Sequence, residues 1–598
     1  MNKKLLLILV LFNSLLLYAV RIIPLSGNII EGKLLSINNS QIFLKVNNKV
    51  TKLPVSEIKT FEFSDDEKEK MFFSLNNNYT FKGYLIQIKN DIFIFKNDDK
   101  FFYIHKNDLK IIVTKRRIIS SIIATDFGRF YFTPVKIISN KLWTVKTRYG
   151  IFSLPINTIK SSFRPDISSI NKNIVYLTNG DYFFYNSVSI KDSLFDFSIY
   201  NFNINIPKEK ILFLKDYSYN PLKISSEKIY RLNINGNNYF LDDYKIYDNK
   251  IFLDNTVIEN PKIKFISNSI INLFVINDVF YSGVSIDEEY FYAIGYSKKL
   301  YEFDISHGIH HTYNLNSYSY DFPVIYDNKI FISEFRNKLS IIDKETNKTK
   351  YLKVDNPYSG VTIFNEKDYL LHLWSEKLLL INDENILYSY NVITSKRSPL
   401  IDYEGYIIDL DIDGNLYKFD SNLNIVFYIN LNGKTDYFNI DSMNNIYICG
   451  PDKNFTVLDK NGKLLYSYEL DNIPYSFPLI DEKNKIVYVA SKDTYLYALK
   501  NGNILWKKKI GYVPGTGVLT EKYIILNTLD QDILFINKTT GVVEKSFNLG
   551  YGANLSMDNK GFLYFASSKG IVAIIDVNDF VLNQYKFNPK HTGNPYIK

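Results

Sequence analysis

The second half of the chain repeats a short motif about every 40 residues, and this repetition restricts the folds that the chain can adopt. The clearest copy begins at Pro478, runs through an acidic turn and two further apolar runs, and closes at Trp506. Equivalent positions recur eight times, at Gly283, Pro323, Gly360, Pro399, Phe438, Pro478, Gly517 and Asn554. Short apolar runs separated by turn residues indicate β-strands. Eight copies of four short strands predict an eight-bladed β-propeller in the C-terminal half of an all-β chain.

The copies share residue types at fixed positions of the predicted blade. A small residue or a proline enters the first strand, an acidic turn follows, and a tyrosine lies in a later strand of several copies. The residues of this blade motif are Pro399, Asp402, Tyr417, Asp420, Pro478, Asp481, Tyr497 and Trp506. This recurrence explains an unusual composition, in which 48 Tyr and 44 Phe accompany only 3 Trp. Many of these rings are therefore expected to be packing residues of repeated strands, which favour large aromatic side chains.

The first half of the chain repeats with a longer period. Its copies begin near Gly27, Asn78, Gly128, Gly180 and Gly236, which are separated by 51, 50, 52 and 56 residues. Alternating strand-like runs joined by Asn-Gly turns indicate β-hairpins. The pattern predicts about five small β-units that are similar to SH3-like or Sm-like barrels or to the blades of a first propeller, and the sequence leaves both alternatives open. We expect a signal peptide at 1–19, the small units at 20–270 and the propeller at 271–598.

Charge and cysteine content exclude several classes of protein. The 71 Lys and Arg residues exceed the 63 Asp and Glu residues by 8, and no dense basic stripe is present, so a nucleic-acid-binding function is not expected. Cys449 is the single cysteine, which excludes an intramolecular disulfide, a cysteine-rich zinc module and a paired-cysteine redox centre. Because Cys449 lies in an apolar, strand-like run, we expect a buried and unreactive thiol.

The N-terminus has the layout of a secretory signal. Lys3 and Lys4 precede an apolar run from Leu5 to Val20 that is shorter than a membrane-spanning helix needs, and Ala19 is the predicted cleavage site. No cysteine follows for a lipid anchor, and no later segment is apolar enough to span a membrane. The mature protein is therefore expected to be periplasmic or secreted.

The runs Pro-Leu-Ile-Asp, Ile-Val-Tyr-Val-Ala-Ser, Leu-Tyr-Ala-Leu and Gly-Asn-Ile-Leu-Trp between residues 478 and 506 resemble the pyrroloquinoline-quinone-type (PQQ-like) β-propeller repeat. The run Phe587–Gly593 is similar to a segment common near the ends of bacterial proteins with this fold. The resemblance covers about half of the chain. It implies that Trp506 docks one blade against the next, and that Tyr and Phe supply this packing in the copies that lack the Trp.

The resemblance also raises a quinoprotein dehydrogenase as an enzymatic hypothesis. Enzymes of the family hold the quinone over the propeller channel with calcium ligands and often with an adjacent pair of cysteines. A chain with one cysteine lacks that pair, and no block of residues carries the calcium-ligand set. Because the fold alone does not carry the function, we expect no catalytic residues, no enzymatic activity and no cofactor.

Two groups of side chains are candidate metal ligands. Asp409, Asp411, Asp413 and Asp420 have the spacing of a calcium-binding loop, but Asp413 falls at an expected hairpin turn and no helices flank the run. His307, His310 and His311, near Asp304, lie close together in a predicted turn. In both groups we favour the structural interpretation over a metal site: turn-forming carboxylates in the first, and an exposed polar cluster in the second.

These features predict an exported, non-catalytic scaffold that binds proteins or peptides in the bacterial cell envelope. Exposed Tyr and Phe suit such surfaces because they are large and lose little entropy on binding. The family resemblance implies an envelope role similar to that of the propeller subunit of the outer-membrane β-barrel assembly machinery. The alternative is a carbohydrate-binding or carbohydrate-acting envelope protein whose aromatic faces stack on sugars.

Overall fold

The computed structural model describes strand segments between Tyr18 and Lys160, most of the chain from Asn171 to Gln584, and Asn588 and 593–596 near the C-terminus. Strands account for nearly all of the regular structure in these residues, with one short 3-10 turn at Lys208–Lys210. The expectation of a nearly all-β chain of short antiparallel strands is confirmed. In this described part of the chain, no helix has the length and apolar character needed to cross a membrane.

Residues 1–17 of the predicted signal peptide lie outside the described residues. The predicted cleavage site, Ala19, lies in the first strand, so removal of residues 1–19 would leave Val20–Pro24 of that strand in place. The chain divides into two compact units, one formed by 1–121 with 132–146 and the other by 122–131 with 147–598. The sequence-based boundary at residue 270 separates two kinds of repeat and stays a prediction.

Among the described residues, ten strands of the first unit precede Ser121. They are β1 (Tyr18–Pro24), β2 (Ile30–Asn38), β3 (Gln41–Val46), β4 (Lys49–Pro54), β5 (Ile58–Phe63), β6 (Met71–Leu75), β7 (Thr80–Lys89), β8 (Ile92–Asn97), β9 (Lys100–His105) and β10 (Leu109–Val113). In each 50-residue repeat the last strand pairs with the first, β5 with β1 and β10 with β6. This pairing distinguishes these 50-residue repeats from a propeller blade, because the first and last strands of a blade lie on opposite edges of its sheet.

Seventeen strands follow before the 40-residue repeats begin. They are β11 (Ser121–Thr125), β12 (Gly128–Ser139), β13 (Leu142–Thr147), β14 (Gly150–Pro155), β15 (Ile159–Lys160), β16 (Ile174–Leu177), β17 (Tyr182–Phe184), β18 (Ser187–Lys191), β19 (Leu194–Ile199), β20 (Phe202–Ile206), β21 (Ile211–Lys215), β22 (Tyr230–Ile234), β23 (Asn237–Leu241), β24 (Lys245–Tyr247), β25 (Lys250–Leu253), β26 (Thr256–Glu259) and β27 (Ile263–Asn268). β18 to β20 and β24 to β26 form separate three-stranded sheets.

The remaining strands form eight small antiparallel sheets. They are β28 (Ile270–Val275), β29 (Phe280–Ile286), β30 (Tyr290–Gly295), β31 (Lys299–Asp304), β32 (Gly308–Asn314), β33 (Val324–Tyr326), β34 (Lys329–Glu334), β35 (Lys338–Asp343), β36 (Thr349–Lys353), β37 (Thr362–Ile363), β38 (Asp368–Leu373), β39 (Lys377–Asn382), β40 (Ile386–Asn391), β41 (Leu400–Ile401), β42 (Ile407–Leu410), β43 (Asn415–Phe419), β44 (Ile425–Asn430), β45 (Tyr437–Ile440), β46 (Ile446–Cys449), β47 (Asn454–Leu458), β48 (Leu464–Glu469), β49 (Leu479–Asp481), β50 (Ile486–Ala490), β51 (Tyr495–Lys500), β52 (Asn503–Lys509), β53 (Val518–Thr520), β54 (Tyr523–Asn527), β55 (Asp532–Asn537), β56 (Val543–Asn548), β57 (Ser556–Met557), β58 (Phe562–Ala566), β59 (Ile571–Asp576) and β60 (Val581–Gln584).

Six of the eight sheets contain four consecutive strands, and the other two join distant parts of the chain. β28, which precedes all the repeats, pairs antiparallel with β59 near the C-terminus and completes the sheet of β57 to β59. β60 adds a fifth strand beside β53. All six residues of β28 are buried, because its apolar side chains contribute to the cores on both faces of this sheet.

Neighbouring sheets share apolar cores and are also linked through their first strands. Thr362 Oγ1 donates a hydrogen bond to the carbonyl of Pro399 at 2.5 Å, and Asn439 Nδ2 donates to that of Pro478 at 3.0 Å. Ser556 Oγ of the last sheet donates to the carbonyl of Val284 in the first, at 2.6 Å. These bonds satisfy polar groups that would be costly to bury alone, and they hold the first strands side by side.

Aromatic rings fill the space between several neighbouring sheets. Phe291 contacts Tyr564 of the last sheet, with ring centroids 5.1 Å apart. Trp506 donates from its indole N–H to the carbonyl of Lys538, at 3.3 Å, in the sheet that follows its own. The buried Tyr417 packs at 6.1 Å from Tyr390 of the preceding sheet. Tyr497 packs inside its own sheet and donates its hydroxyl to Asp493 at 2.5 Å.

The C-terminal segment lies against the first strands of the sheets. Asn583 Oδ1 accepts a hydrogen bond from Asn439 Nδ2 at 3.1 Å, and the Gln584 side chain bonds both backbone groups of Met557 at 3.0 Å. Further along, the Gly593 carbonyl accepts from the Ile401 N–H at 2.9 Å. Together with contacts to Ile363 and Ile480, the segment reaches the first strands of six sheets, namely β37, β41, β45, β49, β53 and β57.

The buried strand β28 generates a test of the fold. Leu273→Ala should lower the free energy of unfolding by about 2–5 kcal/mol, because truncating a buried leucine leaves a cavity. The control Leu582→Ala, at a solvent-exposed position of β60, should change it by less than about 0.5 kcal/mol. Urea unfolding followed by tryptophan fluorescence measures both. Equal midpoints for the two variants would show that β28 is not part of the core.

Candidate functional site

The four candidate calcium ligands act in turns or in the core of the sheet. Asp411 is buried between β42 and β43, where its carboxylate accepts hydrogen bonds from the N–H of Asp413 at 3.0 Å and of Asn415 at 2.9 Å. Burial raises the pKa of Asp411, and the hydrogen bonds from Asn415 and Asp413 oppose this effect. Asp420 lies beyond the far end of β43 and accepts the N–H groups of a second turn.

Asp409 points away from both turns. It is buried in β42, and its Oδ1 atom lies 2.8 Å from Nε2 of the buried His372 in the neighbouring sheet. Strand β43 separates Asp411 from Asp420, so the run does not converge on one cation. In the part of the chain that the structure describes, no group of three or more His, Cys, Asp or Glu side chains is placed to hold a metal ion.

The three candidate histidines also diverge. His307 lies in the turn between β31 and β32, with Nδ1 at 2.8 Å from Asp304 Oδ1. Burial alone would raise the pKa of Asp304, but hydrogen bonds from His307 and Ser306 outweigh it and hold this pKa below its usual value. His310 and His311 lie in β32, not in a turn as expected, and their rings pack on Tyr290 and Tyr313.

A row of aromatic rings, three exposed and two half-buried, lies at the surface of the 40-residue repeats. We define the aromatic row by Tyr551, Tyr281, Tyr296, Tyr318 and Phe335. Its successive ring centroids are 6.4, 6.1, 5.5 and 5.8 Å apart, so the row is continuous across neighbouring sheets. The side chains of Tyr296, Tyr281 and Phe335 are 46%, 37% and 37% exposed, which is unusual for so many adjacent large rings.

The backbone holds the rings of the row in place. Tyr296 and Phe335 each begin the turn between the second and third strands of a sheet, and each donates its N–H to the loop before the first strand. The acceptors are the carbonyls of Val279 at 2.8 Å and of Tyr318 at 3.1 Å. The same bond joins Trp374 to Asn356 at 2.9 Å in the next sheet. One recurrent hydrogen bond therefore places an aromatic ring at the same end of three successive sheets.

A buried carboxylate fixes the turn that carries Tyr296. Asp278 Oδ1 accepts the N–H of Ser297 at 3.0 Å, and its Oδ2 accepts the hydroxyl of Tyr301 at 2.9 Å. Burial raises the pKa of Tyr301 to about 12, with Asp278 contributing in the same direction, so this hydroxyl stays a donor at neutral pH. The turn is thus held on both sides and presents Tyr296 in a defined position.

Sequence reasoning did not identify the row, although a signal was present. Tyr296, Phe335 and Trp374 lie 39 residues apart, which is the period of the repeats. These three residues lie in the turn between the second and third strands, whereas the blade motif consists of strand residues and of the turn after the first strand. Cys449, by contrast, is buried in β46 as expected, and burial raises the pKa of its thiol.

Comparisons with solved structures find likenesses at low sequence identity. No protein family and no curated protein matches the chain. The solved structures that match about half of the chain include the following three. The computationally designed Ika8 protein has 9% identity over 51% of this chain and 98% of its own, with a TM-score of 0.43. BamB from Moraxella catarrhalis has 16% identity over 52% of this chain and 93% of its own, with a TM-score of 0.33. Sqt1 of Saccharomyces cerevisiae has 10% identity over 50% of this chain and 96% of its own, with a TM-score of 0.43. Likenesses at this level assign neither a family nor a function to the chain.

The turn role of Asp411 can be tested against a calcium role. Asp411→Ala should lower the free energy of unfolding by about 1–3 kcal/mol, because buried N–H groups lose their acceptor. Asp413→Ala changes an exposed position of the same turn. Its free energy of unfolding should differ from that of the original protein by less than about 0.5 kcal/mol. Calcium chloride or EDTA should leave the thermal midpoint of the original protein unchanged. A calcium-dependent rise that Asp411→Ala abolishes would contradict this assignment.

Proposed function

We propose that the eight sheets are the blades of a closed, eight-bladed β-propeller of the PQQ-like type, and that the chain is an exported, non-catalytic scaffold. The pairing of β28 with β59 supports closure, because it completes the last sheet with a strand that precedes the first. The hydrogen bond from Ser556 to Val284, at 2.6 Å, supports it too, because it joins the last and first sheets. The apolar N-terminal run supports export to the periplasm or the cell surface.

The aromatic row carries the proposal that this scaffold binds polypeptide segments of other envelope proteins. Exposed aromatic side chains bury a large area on binding and lose little conformational entropy, which makes them frequent hot spots of protein interfaces. The row crosses turns and loops at one end of successive sheets, where propellers commonly bind their partners. Its rigidity, which follows from the recurrent backbone bond and from Asp278, further reduces the entropy lost on binding.

The arrangement of the rings favours polypeptide over carbohydrate. Tyr296 and Tyr318 are inclined by 22°, and Tyr318 and Phe335 by 15°, with centroids closer than 6 Å. Nearly parallel rings at this separation fit offset stacking, in which one face of each ring is turned towards its neighbour. Stacking on a sugar requires an open ring face. Rings that already stack on a neighbour leave less face for a sugar, and large, partly exposed rings suit the side chains of a peptide.

The position of the C-terminal segment supports the absence of a quinone. In the proposed propeller the first strands surround the axis, and the segment lies against six of them. In this proposed arrangement Asn583 and Gln584 lie near the channel over which enzymes of the PQQ-like family hold the quinone. Both side chains make hydrogen bonds to first strands there.

The binding role of the row predicts a loss of partner capture. Tyr296→Ala with Phe335→Ala should weaken binding at least about 30-fold, because truncating hot-spot aromatics costs about 2 kcal/mol or more. In-cell crosslinking followed by partner identification, and then affinity measurement with the purified partner, tests this. The control is Tyr388→Ala with Tyr428→Ala, two exposed tyrosines on β40 and β44.

An equal loss of partner in the control would contradict a specific role for the row. Saturable binding to a glycan array that the row variant abolishes would instead establish the carbohydrate-binding alternative.

The proposed absence of catalysis has its own test. Purified protein should neither bind pyrroloquinoline quinone nor reduce a dye acceptor with alcohols or sugars, because Asn583 and Gln584 of the C-terminal segment lie near the proposed channel. Equilibrium dialysis with the quinone and calcium measures binding directly. Stoichiometric quinone binding by the full chain would overturn the proposal.

A further inference from the structure

A second candidate site lies at the opposite end of the sheets that carry the aromatic row. A cavity of about 570 Å³ opens between the sheet of β29 to β32 and the sheet of β33 to β36. Its walls include Glu288 and Glu289 from the turn after β29, His310 from β32, and Lys344 and Glu345 from the turn after β35. The cavity falls in the size range of binding pockets for small molecules or single side chains.

The charge of this cavity is opposite to that of the chain. Five carboxylates and one lysine line it, although the whole chain has a net charge of +8. The lysine, Lys344, is already paired with Asp287. Among the described residues, no ion pair joins Glu288, Glu289 or Glu345 to a cation of this chain. A local field of reversed sign attracts cationic groups from solution.

A buried carboxylate at the inner wall points to the same kind of ligand. Glu302 is only 6% exposed, and its Oε1 atom lies 3.7 Å from Nε2 of His310, beyond hydrogen-bonding range. The Tyr313 hydroxyl lies 2.9 Å from Oε2 of Glu302 and 2.8 Å from Oδ1 of Asn347. Its single proton therefore serves two acceptors. Among the described residues the Tyr313 hydroxyl is the donor to Glu302, so this carboxylate in the cavity wall can accept further donors from a ligand.

The walls favour an organic cation over a metal ion. No three metal-ligating side chains converge in the part of the chain that the structure describes, so the carboxylates are spread along the cavity. Tyr290 and Tyr292 line the wall beside Glu302, and aromatic faces attract ammonium and guanidinium groups. A guanidinium offers five donors in a fixed plane and can serve several separated acceptors.

The strand beside the cavity indicates that the cation belongs to a polypeptide. β32, which contributes His310 and His311, is the last strand of its sheet, so an extended segment can pair with its outer edge. We propose that this acidic cavity binds arginine or lysine side chains of an extended basic polypeptide segment. The site is independent of the aromatic row, since it uses the turns at the other ends of the same strands.

Fluorescence anisotropy with a fluorescein-labelled tetra-arginine peptide tests the proposal on the full-length mature chain. The peptide should bind saturably and more weakly as salt is added. Glu288→Lys with Glu289→Lys, two exposed positions, should weaken binding at least about tenfold through charge reversal. The matched control, Glu366→Lys with Glu521→Lys, makes the same charge change at exposed positions elsewhere. Its dissociation constant for the peptide should stay within about twofold of that of the original protein.

Two further measurements make every outcome decisive. Glu302→Gln should weaken peptide binding, provided that the circular dichroism spectrum of the variant is unchanged. The row variant, Tyr296→Ala with Phe335→Ala, should bind the peptide as the original protein does. This result would separate the acidic cavity from the proposed function of the row. Spermine should compete less well than the peptide, because it cannot pair with β32. Three results would each overturn the proposal. They are equal weakening of peptide binding by the control variant, tighter binding of spermine than of the peptide, and unchanged peptide binding after charge reversal at Glu288 and Glu289.

Discussion

The arrangement of the eight sheets depends on the pairing of two strands that are about 300 residues apart. β28 and β59 form one antiparallel ladder from Ile270 to Val275 on one side and from Ile571 to Ile575 on the other. Closing a loop of this length costs about 5 kcal/mol of chain entropy, which the six buried residues of β28 must offset. Without this ladder the last sheet would expose an unpaired edge, and the apolar side chains of β28 would lose their place in two cores.

The same arrangement gives the two ends of the sheet that contains β30 different chemical characters. Strand β30 runs from Tyr290, beside the acidic cavity, to Gly295, which precedes the row residue Tyr296. One hairpin therefore contributes an aromatic surface at one end and carboxylates at the other. The two proposed sites are about a strand length apart on a rigid element. Such a scaffold can bind two segments, or two parts of one partner, without changing its own shape.

The predicted elements and the site residues differ in how far the sequence revealed them. The 40-residue period and alternating apolar runs predicted short antiparallel strands, and the structure contains them. The turn role of Asp413-Gly414 was also visible, because the chemistry of a tight turn is local. The pairing of Asp409 with His372 was not visible, since these side chains come from different sheets. Glu302 and Tyr313 lie 11 residues apart on neighbouring strands, and no spacing rule marks them as partners.

By itself, the sequence determined the strands, their turns and the period at which they recur, because these depend on local side-chain preferences and on the alternation of apolar residues. It also determined that aromatic rings return at one turn position in Tyr296, Phe335 and Trp374. Only the tertiary structure decided that these rings meet Tyr318, Tyr281 and Tyr551 in one row, and that five carboxylates face one cavity. The reason is that contacts between sheets follow from the register of their packing, which residues far apart in the chain set together.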